Sequence, residues 1–210
     1  MTASLFLSRL LPLVLLAFAS PSNAAADTVR VPAEYPNIQM AIDSAAAGDT
    51  VRISSGTYRE SVWVPRSKSG LRLRGAGEVI LDPTGGRPGA ALKIDASHVI
   101  VENITVRHAS TGRLGAVTND GVGVHVSFGA DGVQLRNVTA LGCDFAGFHL
   151  EGRFATTTGC RAVGGEHGFV ISGEDGRLAS REIDISPWTG AGSVGVRTKR
   201  PGVSPRDRRV

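Results

Sequence analysis

The chain has 210 residues, which suits one domain, and its formal net charge is +4. Residues 185–210 carry six basic side chains and one acidic, so the first 184 residues, with 17 basic and 18 acidic, sum to −1. The basic surplus therefore belongs to the C-terminal end, and binding of nucleic acid by the preceding residues has no support.

Residues 1–26 have the pattern of a secretory signal peptide. Arg9 precedes an apolar run from Leu10 to Ala19, and small residues follow as far as Ala26. The apolar run is shorter than the ~20 residues that a helix needs to span a bilayer. We therefore expect a cleaved signal peptide, no membrane span after cleavage, and a secreted or periplasmic protein.

Residues 37–47 are predicted to form a short amphipathic helix. Asn37 is a favourable N-cap residue, and Gly48 suits the left-handed conformation that ends a helix. The apolar positions recur with helical spacing at Ile38, Ala41, Ile42, Ala45 and Ala46. From Val51 the apolar positions alternate with polar ones, which predicts strands.

This opening resembles a known group of proteins. The segment IQMAIDSAAAGDTVRISSGTYRESV, residues 38–62, is similar to the N-terminal cap and first coil of right-handed parallel β-helix proteins of the pectate-lyase-like superfamily. That superfamily includes pectinesterases, polysaccharide lyases, and periplasmic carbohydrate-binding and sugar-hydrolysis repeat proteins. The resemblance implies a fold, but it does not choose an activity, because enzymes and binding proteins share this opening.

Four segments of the chain repeat one pattern, and they begin at Leu71, Val99, Val133 and Ala155. In each segment, two apolar or small residues stand two positions apart and predict the first strand of a repeat. A further short strand, the third of the repeat, follows later in the chain. The turn residue comes four positions after the start of each segment, and these residues are Gly75, Asn103, Asn137 and Gly159. Glycine and asparagine tolerate the left-handed backbone of such turns.

Three short strands in each repeat predict an all-β fold, a single-stranded right-handed parallel β-helix of about five coils over residues 27–185. Residues 186–210 are predicted to be a basic disordered tail. Equivalent side chains of successive coils should stack into interior columns. One predicted column is Ile53, Leu73, Val101, Leu135 and Thr157, and the other is Leu92, Val124, Phe148 and Phe169.

The two cysteines are Cys143 and Cys160. Export permits a disulfide bond between them. The repeat alignment instead places them at different positions of neighbouring coils, which favours one core thiol and one turn thiol. Four ligands would be needed for a structural zinc site, and no such cluster is present in the sequence.

The outward positions of the third strand predict a possible metal site. Lys93, His125, His149 and Val170 align there, so the two histidines should lie side by side on an exposed sheet. Nearby turns supply carboxylates at Asp120, Asp144, Glu151 and Glu166. Two imidazoles and a carboxylate bind a transition metal or position an acid–base pair. The alternative is a solvated ladder of polar side chains.

The outward positions of the first strand predict a row of guanidinium groups. The row consists of Arg52, Arg72, Arg74 and Arg136, and Lys93 adds a further cation. Guanidinium groups suit the carboxylates of uronate-containing polysaccharides, because they form bidentate hydrogen bonds. The alternative is ordinary solubilising charge.

A second resemblance concerns catalysis. The residues Thr118–Asp120, Asp144, Glu166–Gly168 and Arg197–Lys199 are similar in order to motifs of the polygalacturonases. The resemblance implies Asp120, Asp144, Glu166 and His167 as catalytic residues, with two carboxyl groups flanking a water. The chain departs from that family because Cys143 replaces one member of its Asp pair and Glu166 replaces a glycine. Pectate lyases would instead use clustered carboxylates to hold Ca²⁺.

These observations support three hypotheses. The first is a secreted or periplasmic module that binds polysaccharide along its sheet faces. The second is a pectin-type hydrolase or lyase that uses turn carboxylates. The third is a periplasmic metal-binding protein that uses His125 and His149, as in copper-associated relatives of the superfamily.

Overall fold

The computed structural model describes residues 26–84, 89–109 and 121–172, together with the backbone of residues 183–185 and 195–196. The predicted signal peptide, except for its last residue, lies outside the described residues, as does nearly all of the predicted basic tail. In the described ranges, no helix is both long enough and apolar enough to cross a membrane.

The described part is built mainly of short β-strands. The elements in chain order are β1 (Thr28–Val31), α1 (Ile38–Ser44), β2 (Thr50–Tyr58), β3 (Val62–Val64), a 3₁₀ turn (Arg66–Lys68), β4 (Arg72–Leu81), β5 (Leu92–Ile94), β6 (Ile100–Arg107), β7 (Val122–Val126), β8 (Gln134–Leu141), β9 (Ala146–Leu150), β10 (Thr156–Thr158), β11 (Cys160–Val163), β12 (His167–Ile171), β13 (Ile183–Ile185) and β14 (Gly195–Val196).

The strands form two sheets, and every described pair of strands is parallel. The eight-stranded sheet has the order β1-β2-β4-β6-β8-β11-β13, with β10 also paired to β8. The six-stranded sheet has the order β14-β12-β9-β7-β5-β3. The chain alternates between the sheets, so each long strand of the first sheet is followed by a short strand of the second.

The prediction of a single closed β-helix with three strands per coil is wrong. The described residues form two sheets of parallel strands and no closed solenoid. The two strands predicted at the start of each repeat are joined as one continuous strand in β6 and β8. Parallel strands alone do not establish membership of the pectate-lyase-like superfamily, which stays a prediction.

Asparagine in the left-handed conformation bends these long strands without ending them. Asn103 and Asn137 have φ values of 57° and 51°, and Gly159 has a φ of 61° at the equivalent position. The Asn137 Nδ2 donates to Asn103 Oδ1 at 3.2 Å, which links neighbouring bends. Gly75 does not adopt this conformation, and Gly77 does so instead, with a φ of 97°.

The interior columns follow from the strand register. Val101 pairs with Leu73 on one side and Leu135 on the other, and Thr157 follows, as predicted. The position predicted for Ile53 is wrong, because Val51 pairs with Leu73. The second predicted column is confirmed in order, and its members are Leu92, Val124, Phe148 and Phe169.

The apolar side chains of both sheets form one core. The rings of Phe148 and Phe169 stack at a centroid distance of 4.5 Å. Both rings are fully buried, and complete burial of such a side chain contributes roughly 1.5–3 kcal/mol. No single repeat encloses its own apolar face, so most of this burial depends on neighbouring repeats.

Helix α1 lies against the first strands and buries Ile38, Ala41 and Ile42. The Asn37 side chain accepts a hydrogen bond from the Met40 N–H at 2.8 Å, as the sequence predicts for an N-cap. Glu60 accepts two more from the first helical N–H groups, at 2.8 and 3.0 Å. These bonds satisfy donors that a helix leaves unpaired, and they fix α1 to the turn before β3.

Both cysteines are buried free thiols. The prediction of one core thiol and one turn thiol is confirmed, because Cys160 lies on β11 and Cys143 lies in the turn between β8 and β9, where it too is buried. Burial raises the pKa of the Cys143 thiol to about 11, and it also raises the pKa of Cys160. Such thiols are poor nucleophiles near neutral pH.

Gly147 of the six-stranded sheet packs closely against the eight-stranded sheet. A Cβ on Gly147 would lie 2.7 Å from the Ala162 Cβ and 3.2 Å from the Ala140 Cβ. Gly147 is on β9, whereas the two alanines are on strands of the eight-stranded sheet. The absence of a side chain at Gly147 therefore sets the distance between the sheets at this point.

Substitution of Gly147 by alanine tests this packing. The added methyl group would have to push against backbone-anchored Cβ atoms, so we expect Gly147→Ala to lower the free energy of unfolding by about 1–3 kcal/mol. Urea unfolding followed by circular dichroism measures the change. The exposed Ser54→Ala serves as the control, and it should change stability by less than about 0.5 kcal/mol. Equal stability of the two variants would contradict the close approach.

Candidate functional site

The outer face of the six-stranded sheet carries one ladder of polar and aromatic side chains. In register order the ladder is Trp63, Lys93, His125, His149 and Val170. The predicted alignment of Lys93, His125, His149 and Val170 is confirmed. Trp63 extends it by one strand, is 49% exposed, and donates its Nε1–H to Asp95 at 2.7 Å.

The two histidines of this ladder share one carboxylate. Glu151 follows β9, and its Oε2 lies 2.9 Å from His125 Nε2. Its other oxygen, Oε1, lies 3.7 Å from His149 Nε2. The imidazole rings stack at a centroid distance of 5.2 Å and an interplanar angle of 25°. The sequence placed Glu151 among several turn carboxylates, and the structure selects it from that group.

The expectation that both imidazoles lie on an exposed sheet is wrong for His125. Its residue exposure is 2%, and all five residues of β7 are buried. The His125 Nδ1 is also buried and has no hydrogen-bond partner. His125, His149 and Glu151 therefore form a partly enclosed cluster, and Glu151 is its most accessible member.

His149 is held in an environment that favours its neutral form. Burial lowers the pKa of His149, Glu151 opposes that effect, and the neighbouring His125 adds to it. The His149 Nε2 also lies 3.1 Å from the Ser172 Oγ. The cluster thus combines two imidazole nitrogens, a carboxylate and a nearby hydroxyl.

The predicted guanidinium row lies on the outer face of the eight-stranded sheet. In register order the positions are Arg30, Arg52, Arg74, Glu102, Arg136 and Thr158. Sequence reasoning missed Arg30, which β1 adds beside Arg52. Glu102 interrupts the row, accepts from Arg136 at 2.9 Å, and lies 3.9 Å from Arg74 Nε. The positive charge at the Arg136 end of the row is therefore largely neutralised.

Toward the opposite end of the row, Arg52 and Arg74 border a groove of about 380 Å³. Its lining residues are Thr28, Thr50, Arg52, Arg74, Gly75, Ala76 and Asn103. Of the predicted cationic residues, Arg52 and Arg74 lie in this groove. Arg72 is exposed but belongs to a different register position, between Thr50 and Ile100. Lys93 lies on the other sheet and is 3.6 Å from Asp95.

The residues predicted to be catalytic are only partly brought together. Asp120 lies outside the described residues, as do Arg197–Lys199. The Glu166 Oε1 lies 3.8 Å from His167 Nε2, and the His167 ring meets Phe145 edge-on at 5.2 Å. The Glu166 N–H donates to the backbone oxygen of Asp144 at 3.1 Å, which places their backbones on adjacent turns. The catalytic role and the Ca²⁺ role of these carboxylates stay predictions.

A second polar cluster was not predicted from the sequence. Asp82 follows β4 and is 5% exposed. It accepts from Arg107 Nε at 2.9 Å, lies 3.4 Å from His108 Nδ1, and accepts from both the backbone N–H and the hydroxyl of Thr84. Burial alone would raise the pKa of Asp82, but these hydrogen bonds together hold it well below its usual range. The register Leu81↔Val106 brings Asp82 and Arg107 to the same end of their strands.

No known family model matches this chain, and no curated protein sequence is similar to it. The functional argument therefore rests on the geometry of the described residues.

The ionised state of Asp82 makes stability depend on pH. A carboxyl whose pKa is lower in the folded protein stabilises it above the unfolded pKa of about 3.9, and this contribution is lost as the pH falls below that value. We expect Asp82→Asn to lower the free energy of unfolding by about 1–3 kcal/mol at pH 7, because Arg107 and His108 lose an ionised acceptor. Urea unfolding of both proteins between pH 7 and pH 2 measures this difference.

The loss of unfolding free energy caused by Asp82→Asn should shrink steadily as the pH is lowered below about 4. Asp43→Asn is a suitable control, since Asp43 lies exposed on α1. A deficit that stays constant from pH 7 to pH 2 would show that the charge of Asp82 is not what stabilises this cluster.

Proposed function

We propose that this protein binds an acidic polysaccharide in the groove between Arg52 and Arg74 on the outer face of the eight-stranded sheet. The observation that carries the proposal is the register Arg52↔Arg74, which puts two exposed guanidinium groups on neighbouring strands and in the lining of one groove. Among the described residues, none forms an ion pair with Arg52. A guanidinium without an internal partner is available to an external carboxylate.

The spacing of these groups suits a chain of uronate residues. Neighbouring parallel strands lie about 4.8 Å apart, which is close to the length of one sugar residue in an extended polysaccharide. Each guanidinium presents a planar fork of donors that forms two hydrogen bonds with one carboxylate. Arg52 and Arg74 can therefore bind carboxylates of one uronate chain.

The other groups of the lining are those that sugar hydroxyls require. Thr28 and Thr50 supply hydroxyl groups, and Asn103 supplies a side-chain amide. Hydroxyls and amides both donate and accept hydrogen bonds, so they suit the mixed donor and acceptor groups of a sugar ring. The predicted export of the chain agrees with an extracellular or periplasmic polysaccharide as the ligand.

The alternative of a pectin-type hydrolase has no comparable observation in its favour. Hydrolysis needs two carboxyl groups on opposite sides of the scissile bond. Of the residues predicted to be catalytic, Asp120 lies outside the described residues, and the Glu166 Oε1 lies 3.8 Å from His167 Nε2. We therefore propose binding without cleavage.

Calorimetric titration with a hexamer of galacturonate tests the proposal. We expect saturable binding, and we expect Arg52→Ala and Arg74→Ala each to weaken it about 10-fold, because each removes one charge-assisted bidentate contact worth roughly 1.5 kcal/mol. Arg52→Lys should give an intermediate loss of affinity, since lysine keeps the charge but lacks the paired donors of a guanidinium. A fully methyl-esterified hexamer should bind at least about 10-fold more weakly.

Arg153→Ala is the matched control. It makes the same change of charge, but Arg153 is bound to Asp131 and lies outside the groove and outside this register column. We expect its affinity for the hexamer to equal that of the unsubstituted protein. Loss of affinity in Arg153→Ala as large as in Arg52→Ala, or no binding of the hexamer at all, would contradict the proposal.

A further inference from the structure

We propose that His125, His149 and Glu151 form a binding site for a divalent transition-metal ion, with zinc as the best fit. One ligand atom from each of the three residues lies within 4.8 Å of the other two. Two imidazoles and one carboxylate are a ligand set that zinc uses where it keeps a fourth position open. The site is on the six-stranded sheet and does not depend on the polysaccharide groove.

The separations of the ligand atoms are close to those that zinc requires. With metal–ligand bonds of about 2.0 Å, the ligands of a tetrahedral zinc ion lie about 3.3 Å from one another. Glu151 Oε2 lies 2.9 Å from His125 Nε2, Glu151 Oε1 lies 3.7 Å from His149 Nε2, and the three ligand atoms all lie within 4.8 Å of one another. Side-chain shifts of at most about 1.5 Å would therefore bring them to the separations of a tetrahedral site.

The sheet itself positions the two histidines. His125 and His149 are direct register partners on β7 and β9, and parallel pairing puts their side chains on the same face. Their stacked rings bring both Nε2 atoms to the same carboxylate. Because the two backbones are fixed by the ladder, few degrees of freedom are lost when an ion binds.

The polar contacts of this cluster converge on the two Nε2 atoms. Glu151 Oε2 lies 2.9 Å from His125 Nε2, and the Ser172 hydroxyl lies 3.1 Å from His149 Nε2. One cation bound by both Nε2 atoms and by the carboxylate would take the place of these hydrogen bonds.

The donor set excludes the hard divalent ions and favours first-row transition metals. Ca²⁺ takes six to eight oxygen ligands, and Mg²⁺ requires a nearly octahedral oxygen shell. Imidazole nitrogens suit zinc, copper and nickel. Glu151 is the most exposed of the three, with 29% of its side chain accessible, so an ion can enter from its side.

Titration of the full, untagged chain with ZnCl₂ after removal of metal by EDTA tests this site. We expect one zinc ion per chain in calorimetry, and we expect Co²⁺ at the same site to give the visible absorption bands of a tetrahedral complex. Glu151→Gln keeps the size of the side chain and its capacity to hydrogen-bond His125. It should weaken zinc binding at least about 100-fold, since it removes the anionic ligand. His149→Ala should have an equal or larger effect.

His108→Asn is the matched control. His108 is an exposed histidine outside the cluster, and asparagine tolerates its left-handed backbone, with φ of 54°. Zinc affinity and the Co²⁺ spectrum should be unchanged in this variant. Thermal unfolding of the metal-free variants establishes that each is folded, and Glu151→Gln decides the test if His149→Ala is not. Failure of the unsubstituted chain to bind one zinc ion, or equal zinc affinity in Glu151→Gln, would overturn the proposal.

Discussion

In-register pairing of parallel strands is the interaction on which the rest of this structure depends. Each strand lies beside its counterpart in the next repeat, so equivalent residues become neighbours although they are 21 to 34 positions apart in the chain. The alternation of side chains along a strand then sorts every column to one face. A single pattern of pairing thus produces the core and both polar surfaces.

The interior columns hold the two sheets together. Valine, leucine and phenylalanine fill most of their positions, and Gly147 leaves room for Ala140 and Ala162 of the facing sheet. The outward columns repeat their chemistry in the same way. A repeated arginine produces the row that borders the groove, and a repeated histidine produces the pair beside Glu151.

Much of this arrangement could be predicted from the sequence, because columns depend only on the alignment of repeats. The neighbours of Val101 and the order Lys93, His125, His149 and Val170 both follow from that alignment. The prediction of a closed solenoid is wrong for a local reason. The sequence predicts Asn103 and Asn137 as turns between two strands, but each lies within one continuous strand, and the pairing of β6 with β8 omits only these left-handed residues.

Other features depend on information that the repeat pattern does not contain. The burial of His125 depends on what lies over β7, and the choice of Glu151 depends on the path of the chain after β9. Asp82 and Arg107 meet because β4 and β6 end together, although they are 25 positions apart in sequence. No motif connects them, so the structure was required to find this cluster.

The distance between spin labels on the two sides of the eight-stranded sheet tests the parallel register most directly. Labels on Arg52→Cys and Thr158→Cys would occupy exposed positions four strands apart in one register column, and the native thiols are buried. Electron paramagnetic resonance should give a backbone separation of about 19 Å, four strand spacings of about 4.8 Å, with a narrow distribution. A broad distribution, or a mean more than about twice that separation, would contradict the stacking of repeats.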